Sequence, residues 1–107
     1  MFNVTAKNFQ AEVLNNPMPV IVMFYATWCS KCAMMKPVTE DIAKKYRGQI
    51  DFFEINTEKE PALAEQYGAD IVPTFAFFKD GILTGILQGL IEENTFEQRI
   101  NKIFRNS

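Results

Sequence analysis

The sequence predicts an α/β protein, in which helices cover both faces of a mixed β-sheet in a three-layer α/β/α sandwich with the element order β-α-β-α-β-α-β-β-α. Two observations lead to this fold class. Apolar runs typical of strands alternate with segments of helical periodicity, which favours parallel strands. Two later apolar runs flank Asp80-Gly81, a strong hairpin signal that adds antiparallel strands toward one edge. The 107 residues, 48% of them hydrophobic, fit one domain over residues 1–107.

The amino-terminal segment predicts a short helix followed by a buried strand. Thr5 is a suitable N-cap, and Phe9 and Val13 lie four residues apart on one helical face. This helix should end before Asn16-Pro17. The run from Pro19 to Tyr25 is continuously apolar and rich in β-formers, which is typical of a strand covered on both faces.

A second helix should begin at the two cysteines and end at Gly48. Its buried face is a stripe made of Cys32, Met35, Ile42 and Tyr46. On the opposite face, Glu40 and Asp41 each precede a lysine by four residues, so Glu40–Lys44 and Asp41–Lys45 ion pairs are expected. Pro37 lies inside this helix and predicts a kink.

The rest of the chain supplies three strands and two helices. Ile50 to Asn56 is the next strand, and Pro61 then opens a short helix that Gly68 closes. The hairpin strands are Thr74 to Lys79 and Ile82 to Leu87. In the last helix, Asn94 with Glu97 predicts a variant of the capping box. The buried face of that helix should contain Phe96, Ile100, Ile103 and Phe104.

Charge and hydropathy disfavour several classes of function. A net charge of −2 and an isoelectric point near 5.1, with lysines interspersed among acids, do not favour binding to nucleic acid or a membrane surface. The longest apolar stretch, PVIVMFYA, is much shorter than the roughly 20 residues that a membrane span needs. The amino terminus has no pattern typical of a signal peptide, so we expect a cytoplasmic protein.

Both cysteines of the chain, Cys29 and Cys32, fall where the predicted strand passes into the second helix. Cys29 should lie near the N-cap, facing unpaired amide groups and the positive end of the helix dipole, which lowers a cysteine pKa below its free value of about 8.5. Cys32, in the first turn, should be more buried and less acidic. An exposed nucleophile with a shielded partner is what dithiol–disulfide exchange requires.

The cysteine pair has three other interpretations. A structural zinc site needs about four ligands, whereas the chain offers two thiolates and no histidine, and no metal is expected. An inert disulfide across two residues would add little stability and would be reduced in a cytosol. Two unrelated buried thiols would not explain the adjacent Trp28 and the helix start.

These segments resemble the thioredoxin family over essentially the whole chain. FYATWCSKC resembles the family's strand–Trp–Cys-x-x-Cys segment, and Pro37 falls where the family's helix is kinked. YGADIVPTFAFFKDG resembles the segment that carries the family's cis-proline, here Pro73. Gly89 matches a glycine beside the active site. The resemblance implies the thioredoxin fold.

The resemblance also implies roles for individual residues. Cys29 would attack a substrate disulfide and Cys32 would resolve the mixed disulfide, with no cofactor required. Val72-Pro73 would lie against the cysteines and leave backbone groups free to pair with an extended substrate segment. The expected substrate-binding residues are Trp28, Ser30, Lys31, Ile71, Val72, Pro73, Gly89 and Leu90.

Three departures from the family pattern concern the cysteines. Ser30-Lys31 replaces the common Gly-Pro, and the lysine should make the couple more oxidising than the thioredoxin value of about −270 mV. Met23 stands where the family has a buried aspartate, and Glu54 where it usually has a lysine. We hypothesise that Glu54 takes the proton from Cys32, the alternative being a surface glutamate at a strand end.

The resemblance leaves two classes of function open. The first is a protein-disulfide reductase, a monomer that acts on disulfide-containing proteins and is re-reduced by an NADPH-dependent flavoprotein reductase; a disulfide oxidase or isomerase is a variant of it. The second is a thioredoxin-fold interaction module with secondary redox chemistry. Loss of the aspartate favours the module, and retention of both cysteines favours the enzyme.

Overall fold

The computed structural model describes residues 1–105. Five strands form one sheet: β1 (Phe2–Asn3), β2 (Val20–Tyr25), β3 (Asp51–Asn56), β4 (Thr74–Lys79) and β5 (Ile82–Gln88). Three α-helices are present, α1 (Ser30–Lys45), α2 (Pro61–Gln66) and α3 (Glu93–Arg105), together with a π-helical segment, Gln10–Leu14. The predicted α/β sandwich and its order of elements are confirmed.

The sheet is mixed, with the strand order β1-β3-β2-β4-β5. Strand β2 lies at its centre, parallel to β3 and antiparallel to β4. The β4–β5 hairpin turns at Asp80-Gly81, both with positive φ, as the sequence predicted. The carboxyl end of β2 leads directly to the cysteines, so the central strand of the sheet positions them.

Alternate residues of β2 enter two separate cores. Ile21 and Met23 pack with residues of α1 and α3, whereas Val22 and Phe24 pack on the other face with the π-helical segment and α2. All of these β2 side chains are nearly or fully buried, which confirms the prediction of a strand covered on both faces.

The first helix differs from the prediction. Its regular part is the π-helical segment, whose N-cap position is Phe9. No side chain makes a capping hydrogen bond there. The Thr5 N–H donates to Asn8 Oδ1 at 2.7 Å, so Thr5 belongs to a preceding turn and its prediction as the N-cap is wrong. The predicted buried pair nevertheless holds, since Phe9 and Val13 are both buried.

The predicted surface ion pairs of α1 are also wrong, because long-range partners are preferred. Glu40 pairs with the Met1 amino group at 3.3 Å. Lys45 pairs with Glu93 and Glu97 of α3, both at 2.9 Å, which ties the two helices on this face of the sheet.

Helix α3 begins one residue earlier than its predicted cap. Asn94 lies inside the first turn, because the Phe96 N–H already donates to the Glu92 carbonyl oxygen at 2.9 Å. The prediction of an Asn94 N-cap is therefore wrong, while the predicted buried face is present, with Phe96 and Ile100 fully or almost fully buried.

Candidate active site

Cys29 is the N-cap of helix α1, as the sequence predicted. Its backbone is extended, with φ −91° and ψ 109°, and the helix begins at Ser30. The Cys29 Sγ accepts a hydrogen bond from the Cys32 N–H at 3.1 Å. The sulfur therefore takes the place of the side-chain oxygen that usually caps a helix, where amide groups and the helix dipole favour an anion.

Cys32, in the first turn of α1, is a buried and weakly acidic thiol. Only 4% of its surface is exposed. Burial is the main cause that raises its pKa to about 12, and the hydrogen bond to Cys29 is the next. Both cysteines are free thiols in this structure, which is thus the dithiol form.

Cys29 is more enclosed than expected. It is 8% exposed, so the prediction of an exposed nucleophile beside a shielded partner is wrong for the residue as a whole. The cause is the loop before β4, because the Cys29 thiol donates to the Val72 carbonyl oxygen at 3.6 Å. The two sulfurs are distinguished less by exposure than by their contacts with the amide and carbonyl groups.

The proline loop lies against the cysteines, where the resemblance placed it. The Val72–Pro73 peptide bond is cis. The Pro73 carbonyl oxygen accepts from the Gly89 N–H at 2.9 Å, and Gly89 has a φ of +87° that favours glycine. This hydrogen bond joins the loop before β4 to the loop after β5, so that three separate segments meet at the site.

The surroundings of the cysteines carry an unusual amount of exposed apolar surface. Trp28 is 73% exposed, Ile71 55% and Leu90 50%. A groove of about 520 Å³ runs from Trp28 and Val72 toward α2. Ser30 and Lys31 are exposed at the first turn of α1. Large exposed apolar side chains in one area are typical of a surface that binds another protein.

Glu54 is buried next to the cysteines. It is 7% exposed and lies beside Met23 in the β2–β3 register. A cavity of about 170 Å³ is lined by Glu54, Cys29 and Cys32, together with Met23, Tyr25, Ala26, Thr27, Ala33 and Lys36. The alternative of a surface glutamate at a strand end is therefore excluded, and a carboxylate shares a cavity with both thiols.

Two charged residues of the site were missed by the sequence reasoning. The Lys36 Nζ lies 3.6 Å from Glu54 Oε1; its position four residues after Cys32, on the same helical face, was a signal that could have identified it. The Glu58 carboxylate accepts from the Thr27 N–H at 2.7 Å and from its Oγ1 at 2.8 Å, which lowers the pKa of Glu58 and fixes the loop before Trp28. Nothing local in the sequence indicated the Glu58 contact.

Tyr25 completes the polar wall of the cavity. Burial raises the pKa of its hydroxyl, and the negative charge of Glu54 raises it further. Tyr25 therefore stays neutral at any ordinary pH and supplies no charge to the site.

Residues 1–105 contain no group of three or more His, Cys, Asp or Glu side chains placed to hold a metal ion. No helix in this part of the chain combines the length and apolar character that crossing a membrane would require.

Comparison with known proteins gives consistent matches along the chain. Residues 1–102 match the family model described as Thioredoxin. The thioredoxin of Porphyra purpurea is 39% identical over 99 residues, and thioredoxin 1 of a Nostoc species is 38% identical, each alignment covering 92% of both chains. The thioredoxin of Rickettsia bellii is 36% identical and covers 92% of this chain and 94% of its own.

Proposed function

The chain belongs to the thioredoxin family and is a thiol–disulfide oxidoreductase, a protein-disulfide reductase, and on that premise we propose that Cys29 is its nucleophile and Cys32 its resolving thiol. The observation that carries the assignment is the 3.1 Å hydrogen bond from the Cys32 N–H to the Cys29 sulfur. This amide stabilises negative charge on Cys29, while burial keeps Cys32 protonated until it is needed.

The reaction proceeds in two exchanges. In the first, the Cys29 thiolate attacks one sulfur of a substrate disulfide, the substrate S–S bond breaks, and the displaced substrate thiolate takes a proton. In the second, Cys32 loses its proton and attacks the Cys29 sulfur, which breaks the mixed disulfide and releases the other substrate sulfur as a thiolate that then takes a proton. Two electrons pass to the substrate, and the protein is left with a Cys29–Cys32 disulfide.

The substrate approaches the exposed apolar surface around Cys29. An extended segment would pair with the Val72 backbone next to Pro73, while Trp28, Ile71 and Leu90 contact its side chains. Ser30 and Lys31 face the same segment from the first helical turn, and Gly89 keeps the opposite loop close without adding a side chain. The substrates are disulfide-containing proteins.

Glu54 accepts the proton from Cys32 in the second exchange. It is the carboxylate of the cavity that both thiols line. Because Cys32 has a pKa of about 12, a nearby base shortens the time spent waiting for spontaneous ionisation. Met23 at the adjacent position of β2 supplies no such group.

Trapping the intermediate tests the two cysteine roles. Cys32→Ser should accumulate a mixed disulfide with a substrate such as insulin, whereas Cys29→Ser should form none and lose insulin reduction in the presence of dithiothreitol. A mixed disulfide that forms on Cys32 in the Cys29→Ser protein, with reduction retained, would reverse the assignment.

Glu54→Gln tests the proton acceptor. A base that accepts a proton in the reaction raises the rate by about 10²- to 10⁴-fold. We therefore expect Glu54→Gln to slow the second exchange by at least about 10²-fold and to leave the rate of the first exchange unchanged. The second exchange is measured in stopped flow: dithionitrobenzoate first forms a mixed disulfide on Cys29, and Cys32 then releases thionitrobenzoate. Equal rates for Glu54→Gln and wild type across pH would remove Glu54 from the mechanism.

The electron donor and location form the last part of the proposal. The protein is a cytoplasmic monomer, one domain over residues 1–107, which an NADPH-dependent flavoprotein reductase returns to the dithiol form. The exposed Lys31 beside Cys29 supports a couple more oxidising than about −270 mV. A redox titration against glutathione that gives an equal or more negative value would contradict this, and a markedly oxidising value would favour the oxidase or isomerase alternative.

A further inference from the structure

Lys36 stands between the buried carboxylate of the site and solvent. It lies on α1, one turn beyond Cys32, and its Nζ is 3.6 Å from Glu54 Oε1. The Lys36 side chain is 50% exposed and the Glu54 side chain 9%. Among the residues that line the 170 Å³ cavity in the described chain, Lys36 carries the only positive charge.

We propose that Lys36 is a positioning residue for the second exchange, which keeps Glu54 ionised between turnovers and returns it to that state after each proton transfer. This inference rests on the proposed role of Glu54 and adds a requirement to it. Lys36 touches neither substrate nor reacting sulfur in this account; it acts through the carboxylate.

The charges around Glu54 explain the requirement. Helix α1 brings Cys29, Cys32 and Lys36 to the cavity, and β2 brings Tyr25, which is neutral. On the other side of β3, Asn3 of β1 pairs with Glu54 and carries no charge. Burial in itself favours the protonated acid, which could not accept a proton from Cys32. The Lys36 ammonium is thus the group that opposes this cost.

The same pair accounts for the return of the proton. When Cys32 attacks the Cys29 sulfur, its proton moves to the Glu54 carboxylate and the substrate leaves as a thiolate. Glu54 is then neutral and Lys36 has lost its counter-ion. Release of the proton from Glu54 to solvent beside the half-exposed lysine restores the ion pair, so the positive charge favours release over retention.

A purely structural pair would behave differently. Partly exposed ion pairs contribute little to stability, and loss of a merely structural pair gives no reason for the pH dependence of one exchange to change. The present role instead predicts a change in the pH dependence of one step.

The test is the stopped-flow release of thionitrobenzoate in Lys36→Met, measured across pH. In the pH–rate profile of the second exchange, we expect the acidic limb to move to higher pH, with a loss of about tenfold in rate on that limb. The rate of the first exchange should be unchanged. Lys36→Arg should restore the wild-type profile. Lys44→Met, which removes another exposed lysine of α1 remote from this cavity, serves as the control and should leave the profile unchanged.

The Glu54→Gln background separates this inference from the proposed function. Lys36→Met added to Glu54→Gln should leave the pH–rate profile of the Glu54→Gln protein unchanged. If Glu54→Gln slows the second exchange but Lys36→Met alone does not shift the limb, the role of Lys36 is overturned and that of Glu54 stands. A shift from Lys36→Met that persists without the carboxylate would also overturn it, because the lysine would then act on Cys32 directly.

Discussion

Raising the pH should destabilise the dithiol form through Cys32. Its pKa is raised from an ordinary value of 9.0 to about 12, with burial as the main cause. Below about pH 9 the folded and unfolded chains both keep this proton, and its contribution to stability is fully present. Between about pH 9 and pH 12 the unfolded chain loses a proton that the folded chain retains, so the free energy of unfolding must fall.

The size of the effect follows from the two pKa values. One proton bound by the folded state alone costs about 1.4 kcal/mol per pH unit. With values of 9.0 and about 12, stability should fall by about 1.4 kcal/mol between about pH 8 and pH 10. Tyr25 and Tyr67 also have raised pKa values and act in the same direction, but mainly at higher pH.

The assay is urea denaturation of the reduced protein at several pH values, with Cys32→Ala as the matched control. Alanine removes the thiol but retains the backbone N–H that donates to the Cys29 sulfur. The difference in unfolding free energy between wild type and Cys32→Ala should shrink by about 1.4 kcal/mol over this range. Parallel curves for the two proteins would refute the reasoning that burial keeps Cys32 protonated.

Three further predictions concern packing, the turn and the substrate surface. Phe96→Ala should cost about 3–5 kcal/mol in urea denaturation, because Phe96 is fully buried 4.8 Å from the Phe75 ring, and a loss below 1 kcal/mol would contradict this. Gly81→Ala should lower the free energy of unfolding more than Gly48→Ala does. Both glycines have positive φ, but of the two only Gly81 would place a Cβ 2.7 Å from a backbone oxygen. Equal losses of stability in the two variants would refute this clash. Trp28→Ala should raise KM for insulin about 3- to 10-fold and leave reduction of a small disulfide unchanged, and equal effects on both substrates would exclude a recognition role.

Local patterns predicted most of the fold. The apolar run that became β2, the Asp80-Gly81 turn and the start of α1 at the cysteines depend on residues close in sequence, and each is confirmed. The position of Cys29 as N-cap is of this kind, because strand, cysteine and helix are contiguous. The placement of Cys29 at the start of α1 could therefore be predicted before any tertiary contact was known.

The errors arise where distant groups compete with local ones. The expected Glu40 and Lys45 pairs within α1 gave way to the Met1 amino group and to carboxylates of α3, which the fold brings within reach of these side chains. The enclosure of Cys29 depends on Val72, which is 43 residues away. Sequence spacing carries no information about such contacts.

Glu54 illustrates both what local sequence predicts and what it does not. Its place in β3 and its difference from the family pattern were visible in the sequence. Its burial, its cavity and its pairing with Lys36 depend on how α1 packs across β2 and β3, and they became apparent only in the structure. The structure thus adds Lys36 to the site as the partner of Glu54.

Competitive alkylation of the fully reduced protein measures directly whether the Cys29 sulfur is more reactive than the Cys32 sulfur. One equivalent of iodoacetamide at neutral pH, followed by peptide mass spectrometry, reports which sulfur reacts first. Both residues are largely buried, so exposure alone does not decide which sulfur reacts. The difference has to come from the Cys32 N–H that donates to the Cys29 sulfur and from the raised pKa of Cys32. We expect the label almost entirely on Cys29. Comparable or preferential labelling of Cys32 would contradict the assignment of Cys29 as the more reactive sulfur.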